Sequence, residues 1–311
     1  MMRLLAEPAL RFGVCLSLFA VLWHHADGPR VVEQLLHLDP VYVVAALIIT
    51  VPQVGLSAWR WHFTATRLDM HLPFNKAFGE YYLATFLNQV LPGGMIGDAA
   101  RAWRHGRSQT AGFGAAARAV ILERTSGQIA LFSIVLAAAV FQRDAFMGMI
   151  GAVGPWGGGL LLTVAVVILL VRRTRWRDQL GIFLSDCRRV FSGVSGGIQL
   201  LSSLCVVATY LTVYGLAARA VGVELSAGTL MTVVPIILFS MVLPISVSGW
   251  GVREVVAVAF ATNAGLTPDM AVAVSVAYGL IVLVSSLPGL FVLLAVRSTD
   301  DEADTLATSG R

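Results

Sequence analysis

Three runs, Leu160–Val171, Val206–Val221 and Leu280–Val296, are too apolar and too long to be hidden inside one soluble core. A helix needs about 20 such residues to cross roughly 30 Å of hydrocarbon, and comparable runs recur along the chain. Of the 311 residues 57% are hydrophobic and 13% charged, whereas an ordinary soluble domain carries about 25% charged residues. A β-barrel would show short segments alternating in polarity, and none appear. The expected fold class is all-α: a polytopic integral membrane protein with about six full spans plus two opposed re-entrant helix pairs.

The full spans are expected at Leu10–Trp23, Val41–Trp59, Val120–Phe141, Ala152–Val171, Leu200–Val221 and Val272–Val296. Leu10–Trp23 lacks a small-x-small cleavage site before His24, His25 and Asp27, so it reads as a retained first helix rather than a signal peptide. Lys and Arg in short loops mark the cytoplasmic side. Arg3 and Arg11 precede the first span, and Arg60, Arg67 and Lys76 follow the second. Arg101, Arg104, Arg107 and Arg118 precede the third, and Arg172, Arg173, Arg175, Arg177, Arg188 and Arg189 follow the fourth. The connections at 24–40, 142–151 and 219–226 carry almost no basic excess. This alternation predicts a multi-pass protein of the inner membrane with both termini cytoplasmic. Residues 1–297 form one membrane domain on this reading, and the polar tail 298–311 is expected to be a disordered cytoplasmic extension. Trp59, Trp61, Trp103 and Trp176, beside basic loops, read as interfacial anchors.

Two shorter apolar pieces, Ala77–Leu91 and Ala227–Leu243, each run into a proline. The basic loops at 60–76 and 98–118 flank the first piece, and both claim the cytoplasm. The simplest path is that this piece dips into the membrane, turns at Pro92, Gly93 and Gly94, and comes back out. Irregular backbone at that depth is tolerated only where protein or a water-filled cavity surrounds it. The plainer alternative is a helix cap at the membrane surface.

A second stretch favours the re-entrant reading. Val90–Arg101 reads VLPGGMIGDAAR and Val242–Glu254 reads VLPISVSGWGVRE, so V-L-P-x4-G-x3-R occurs twice, each time after a short apolar helix. The structural breaks are thus Pro92, Gly93, Gly94 and Gly97, then Pro244, Gly249 and Gly251. Counting spans, the two pieces enter from opposite faces, as inverted repeats of about 41–141 and 200–296 would. Paired interrupted segments in two halves point to a transporter's midplane site.

Ionisable groups inside a membrane cost about 2.5–3.5 kcal/mol each on insertion scales, so they default to functional candidates. Asp98, Arg101, Glu123, Arg124, Arg253 and Glu254 qualify, with Asn88 beside the first break. One reading makes Glu123, Arg124 and Arg253 internal struts that pair with one another. The other has arginines gripping a lipid phosphate while the acids set selectivity or carry a proton. Helix amino termini after Gly97 and Gly251 would add positive dipole ends facing the same anion.

Other classes of chemistry find no support in the residues. The three cysteines, Cys15, Cys187 and Cys205, form no Cys-x-x-Cys pair and read as small buried hydrophobes. The six histidines give no metal-binding spacing. No metal or other cofactor is expected, and no nucleic-acid partner, since the basic clusters read as topology determinants resting on anionic head groups.

The blocks FLNQVLPGGMIGDAARAWR, AVILERTSGQIALF and VLPISVSGWGVREVV resemble the lysylphosphatidylglycerol synthase transmembrane region, also called the flippase-like domain family. The resemblance covers about residues 10–296. It implies a membrane domain that moves an amphipathic lipid between leaflets, with Asn88, Pro92, Gly93, Gly94, Gly97, Asp98, Arg101, Glu123, Arg124, Gly249, Gly251, Arg253 and Glu254 at signature positions. The chain departs from the pattern at Ile96, where the family often has a second glycine. Full-length lysylphosphatidylglycerol synthases continue into a soluble aminoacyl-transfer domain, and this chain stops soon after its last expected span. No aminoacyl transfer of its own is therefore expected.

The leading expectation is a flippase-like transporter, not an enzyme. It would act by alternating access around the two breaks, with Arg101, Arg124 and Arg253 holding the head group of an anionic or polyprenyl-phosphate-type lipid. A lipid-linked glycosyltransferase and a structural partner of an envelope lipid pathway are the alternatives. An aspartyl intramembrane protease would need a second membrane aspartate, and none lies within an apolar span. A homo-oligomer, or a lipid-synthesis enzyme, would be the protein partner.

Overall fold

The computed structural model describes residues 2–92, 94–107, 109, 112–141, 177–241 and 246–295. Gly93, Pro244, the expected span Ala152–Val171 and the tail 298–311 lie outside the described residues. What is described is helical, with no strand. Helix α1 runs Met2–His25, α2 Gly28–Leu36, α3 Pro40–Arg67, α4 Phe74–Val90, α5 Ile96–Arg107 and α6 Gly112–Phe141. After the undescribed stretch come α7 Arg177–Phe191, α8 Gly193–Ala220, α9 Ala227–Ser240, α10 Val252–Ala259 and α11 Pro268–Ser286. A single turn of 3-10 helix, Thr262–Ala264, links the last two.

Among the described residues four helices are long and apolar enough to cross a membrane: Pro40–Arg67, Gly112–Ala138, Gly193–Ala220 and Pro268–Ala295. They match four of the six expected spans, one wholly contained and three overrunning the helix end by one to three residues. The first expected span lies within α1, whose apolar part is the shorter Phe12–His25. Local chemistry sets several of these starts. Asp39 caps α3 by accepting the Val41 N–H at 2.8 Å, with Pro40 as first helical residue. Ser226 caps α9 by accepting the Thr229 N–H at 3.0 Å. Outward faces carry Val44, Ile48, Phe132, Leu136, Leu201 and Phe291, all exposed. In an apolar solvent such residues need no cover.

The two short hairpins are α4–α5 and α9–α10, and each packs on a core; the second core also takes in Ala46 of α3 and Ala130 and Leu131 of α6. Val54, Ala58, Trp61, Tyr81, Ala102, Ala116 and Leu122 join α3, α4, α5 and α6. Val207, Leu211, Tyr214, Val233, Ile237, Ala257, Val274 and Ile281 join α8, α9, α10 and α11. The order long, short, break, short, long thus occurs twice. The constant shift that carries Arg101 to Arg253 lays α3 on α8, α4 on α9, α5 on α10 and α6 on α11, each within a few residues. The same shift lays α2 within α7.

Two expectations need correction. Only Cys15 is buried, while Cys187 is half-buried and Cys205 exposed on an outer face of α8; in a helix facing hydrocarbon, a small apolar thiol gains nothing by turning inward. The helix that contains Val41–Trp59 continues to Arg67, so Arg60 and Trp61 are not in a loop at all.

Candidate functional site

The first break is built by Asn88, the last-but-two residue of α4. Its Oδ1 accepts the Gly97 N–H at 2.8 Å and its Nδ2 donates to Asp98 Oδ2 at 3.2 Å. One side chain thereby satisfies a free helix-start donor and fixes the first acid. Gly97 is required by space: a Cβ there would fall on the backbone carbonyl of Ala84 in the facing helix. Gly94 turns the chain with φ 61°, a conformation open to glycine at little cost.

Asp98 is then gripped by two arginines. Arg101 donates through Nε to Asp98 Oδ1 at 2.9 Å, and Arg124 donates through Nη2 to the same oxygen at 2.9 Å. The second acid, Glu123, accepts from Arg101 Nη2 at 2.9 Å through Oε2 and from Arg60 Nη2 through Oε1. Arg60 also donates to the Glu123 carbonyl at 3.0 Å. Tyr81 donates to Glu123 Oε1 at 3.4 Å. The Arg101 guanidinium lies between two aromatic faces, 4.6 Å from the centroids of Trp61 and Tyr81. Arg101 and Glu123 are both 0% exposed, while the Arg124 side chain is 37% exposed. Three guanidinium groups therefore meet two carboxylates, a net charge of one positive in a site closed except beside Arg124. Among the described residues, three N–H-bearing atoms of this cluster, Arg60 Nε, Arg60 Nη1 and Arg101 Nη1, are buried without a partner.

A polar seam continues from this cluster between three long helices. Ser126 donates to the Glu123 carbonyl at 2.7 Å, and Gln199 Nε2 donates to Ser126 Oγ at 3.0 Å and Thr64 Oγ1 at 3.3 Å. Ser203 donates to Ser126 at 3.1 Å. These bonds tie α6 and α3 to α8, and they hold Glu123 in register with its arginines.

The second break is assembled differently. Gly251, with φ 85°, opens α10, and its N–H donates to Glu254 Oε2 at 2.6 Å. Glu254 Oε1 accepts from Arg253 Nη2 at 2.6 Å and from Ser275 Oγ at 3.0 Å, and Arg253 Nε donates to Ser275 Oγ at 2.9 Å. Arg253 lies over the rings of Trp250 at 5.0 Å and Tyr278 at 5.4 Å. Arg253 and Glu254 are 1% and 0% exposed, and this pair is neutral. Helix α1 presses on the break from outside: Cys15 Sγ accepts the Val247 N–H at 3.3 Å, and a Cβ on Gly251 would meet Leu18 at 2.9 Å. The two breaks touch through one described hydrogen bond, Ser248 Oγ donating to Gln89 Oε1 at 2.8 Å.

Asn88, Asp98, Arg101, Glu123 and Arg124 are thus brought together, and Arg253 and Glu254 form a second cluster. No described ion pair joins the two clusters, so the strut reading, in which Glu123, Arg124 and Arg253 pair with one another, is not what forms. Pro92, Gly94, Gly97, Gly249 and Gly251 lie at the two turns. The sequence reading missed Arg60, Trp61, Tyr81, Ser275 and Tyr278. Their place after an apolar run suggests a loop for Arg60 and an interfacial belt for Trp61; they are 3% and 0% exposed, facing Glu123 and Arg101. One signal was present: Thr50, Gln53, Ser57, Arg60 and Thr64 repeat at spacings of three and four, which marks one polar helix face. For Ser275 the signal was the repeat itself. The shift carrying Gly97 to Gly249 and Arg101 to Arg253 also carries Glu123 to Ser275 and Gly127 to Gly279.

The chain matches the model of a known membrane family, described as the lysylphosphatidylglycerol synthase TM region, over residues 9–289. No curated protein matches it.

Proposed function

The chain belongs to the lysylphosphatidylglycerol synthase TM region family, and on that premise we propose that it is a flippase-like transporter moving an anionic amphipathic lipid between leaflets. The head group enters at the first break, and its acyl chains stay in the surrounding hydrocarbon. The observation that carries this reading is the unbalanced first cluster: three arginines, two acids, and guanidinium donors buried without partners. An unpaired buried donor costs about 1–3 kcal/mol, more when charged, so a bound anion would supply acceptors for these guanidinium donors.

Both acids are fully engaged by guanidinium groups, which favours a binding role for them over general acid–base chemistry. The repeated element order supports two units of opposite orientation, with the two hairpins entering from opposite faces of the inner membrane and both termini cytoplasmic. Alternating access would then be a rocking of one unit against the other about the contact between Gln89 and Ser248.

The test is reconstitution. Purified protein in liposomes containing fluorescent lipids of several head groups is followed by dithionite quenching of the outer leaflet. Exchange of an anionic lipid that Arg101→Ala abolishes is the expected outcome. No movement of any lipid, at several pH gradients, sinks the transporter reading; movement that survives Arg101→Ala keeps the transporter and removes the site.

A further inference from the structure

We infer that the first break selects a lipid phosphate carrying a single negative charge, a phosphodiester, and that Arg60 is one of the residues that hold it. This rests on the anionic-lipid reading above and narrows it.

The argument begins with the count. Arg60, Arg101 and Arg124 face Asp98 and Glu123, and these five side chains bond to one another. The cluster carries one uncompensated positive charge. Removing an ion from water costs free energy that grows with the square of its charge, while its attraction to a fixed positive site grows only linearly. A single negative charge therefore neutralises the cluster at the lowest desolvation cost. A doubly charged phosphate, as on a phosphomonoester or a diphosphate, would enter with about four times that cost and leave the site negative.

The orphaned atoms say where the anion sits. Among the described residues Arg60 Nε and Nη1 and Arg101 Nη1 are buried donors without acceptors, and Trp61 Nε1, on the ring beneath Arg101, is a fourth. All four are donors, which suits phosphate oxygens, while the unpartnered acceptors Gln53 Oε1 and Gln199 Oε1 belong to side chains outside the five-membered cluster. Arg60 is 3% exposed, so it lies out of reach of bulk solvent. Gly127 contributes by omission: a Cβ there would lie 3.5 Å from Arg60 Nη1 and Nη2, so the missing methyl leaves room beside that fork. Arg124, more than a third exposed, is the guanidinium that a head group reaches first.

The second break gives the contrast. The shift that superposes the two breaks replaces Arg60 with Thr212, Asp98 with Trp250 and Arg124 with Val276. Its remaining Arg253 is matched by Glu254 and Ser275, so it has no charge left over for a ligand.

The experiment measures binding to the purified full chain in detergent. Four probes are used: dioctanoyl phosphatidylglycerol, dioctanoyl phosphatidate, dioctanoylglycerol, and glycerophosphoglycerol without acyl chains. Phosphatidylglycerol keeps one charge across pH 5–8, whereas a phosphomonoester gains its second near pH 6. We expect the phosphodiester lipid to bind with little dependence on pH. Phosphatidate should match it at pH 5 and fall about tenfold or more behind at pH 8. Dioctanoylglycerol should not compete. Weak competition by glycerophosphoglycerol marks the lipid as the ligand; competition equal to the lipid's assigns the site to the soluble phosphodiester and overturns the lipid source. Arg60→Gln and, as a variant less exposed to misfolding, Arg124→Gln should each weaken the phosphodiester about tenfold or more. Asp98→Asn raises the cluster to two positive charges and should reverse the preference at pH 8.

Phosphatidate bound as tightly as phosphatidylglycerol at pH 8, in the native protein and in Asp98→Asn alike, would overturn the charge selection while leaving the anionic-lipid reading intact. No binding of either anionic lipid would instead remove that reading itself.

Discussion

The two breaks share a backbone plan and differ in what they do with an arginine. At the first, Arg101 bridges two acids and belongs to a five-membered cluster with a surplus positive charge and an opening beside Arg124. At the second, Arg253 is closed off by its neighbour Glu254, by Ser275, and by two aromatic rings. The equivalent partners on the following long helix are Glu123 and Ser275, one charged and one not. A buried arginine with one carboxylate is a finished internal strut. A buried arginine in a set with one acid too few is an unfinished site. On this contrast we propose that the first break binds and that the second supports.

The largest effect should come from removing Glu123, one of two acids that the second break lacks at the equivalent positions. Glu123→Ala leaves Arg60 and Arg101 buried without their shared partner, and breaking a buried pair in this way costs about 3–5 kcal/mol. The equivalent Ser275→Ala removes one hydroxyl and should cost about 1–2 kcal/mol. Thermal unfolding of the two variants in the same detergent checks this; equal losses would erase the difference between the breaks.

Space should rank next. A methyl at Gly97 collides with the Ala84 backbone, which cannot move out of the way as a flexible side chain can. Gly97→Ala should cost about 1–3 kcal/mol, as overpacking does, and should weaken transport by prising α5 from α4. Gly94→Ala meets open space and bears only the cost of its left-handed backbone, about 1–2 kcal/mol. It should leave anion binding intact, and a loss equal to that of Gly97→Ala would place the constraint in the turn rather than in the helix contact.

A third prediction separates support from binding. Replacing a buried ion pair by apolar residues is often neutral, or stabilising by about 1–4 kcal/mol, which offsets the roughly 1–3 kcal/mol lost when the Gly251 N–H gives up its Glu254 acceptor. Arg253→Met with Glu254→Leu should therefore fold and still move lipid in the liposome assay. Abolished transport in a protein that unfolds normally would return the second break to the binding site.

Much of this contrast was readable in the chain. The breaks stand out because proline and glycine interrupt apolar runs, and the charges beside them stand out because hydrocarbon makes them expensive. Asn88, Asp98, Arg101, Glu123 and Arg124 were visible for that reason. Arg60 and Trp61 were not, because both sit where a span of minimal length would end, and there arginine and tryptophan have an ordinary interfacial explanation. The helix runs two turns further than that minimum, and tertiary contact with Glu123 and Arg101 turns the pair inward. Which acid serves which arginine was hidden for a different cause. Asp98 and Arg101 are neighbours on one helix, but the tie to Arg124 and the sharing of Glu123 depend on how α3, α5 and α6 cross.

The smallest predicted effect concerns the place where the breaks meet. Ser248 holds φ at 50° and donates to Gln89, so it accepts an uncommon backbone conformation in return for one hydrogen bond between the two hairpins. Ser248→Ala keeps the strain and loses the bond, which should cost about 1 kcal/mol. Ser248→Gly loses the bond but relieves the strain, and a residue in this region costs about 1–2 kcal/mol more than glycine, so stability should return to that of the native chain or slightly above it. If the contact is only a buttress, transport should follow stability, falling in Ser248→Ala and recovering in Ser248→Gly. If the two breaks rock about it, both variants should alter the exchange rate in the same direction, because both lose the bond whatever happens to the strain.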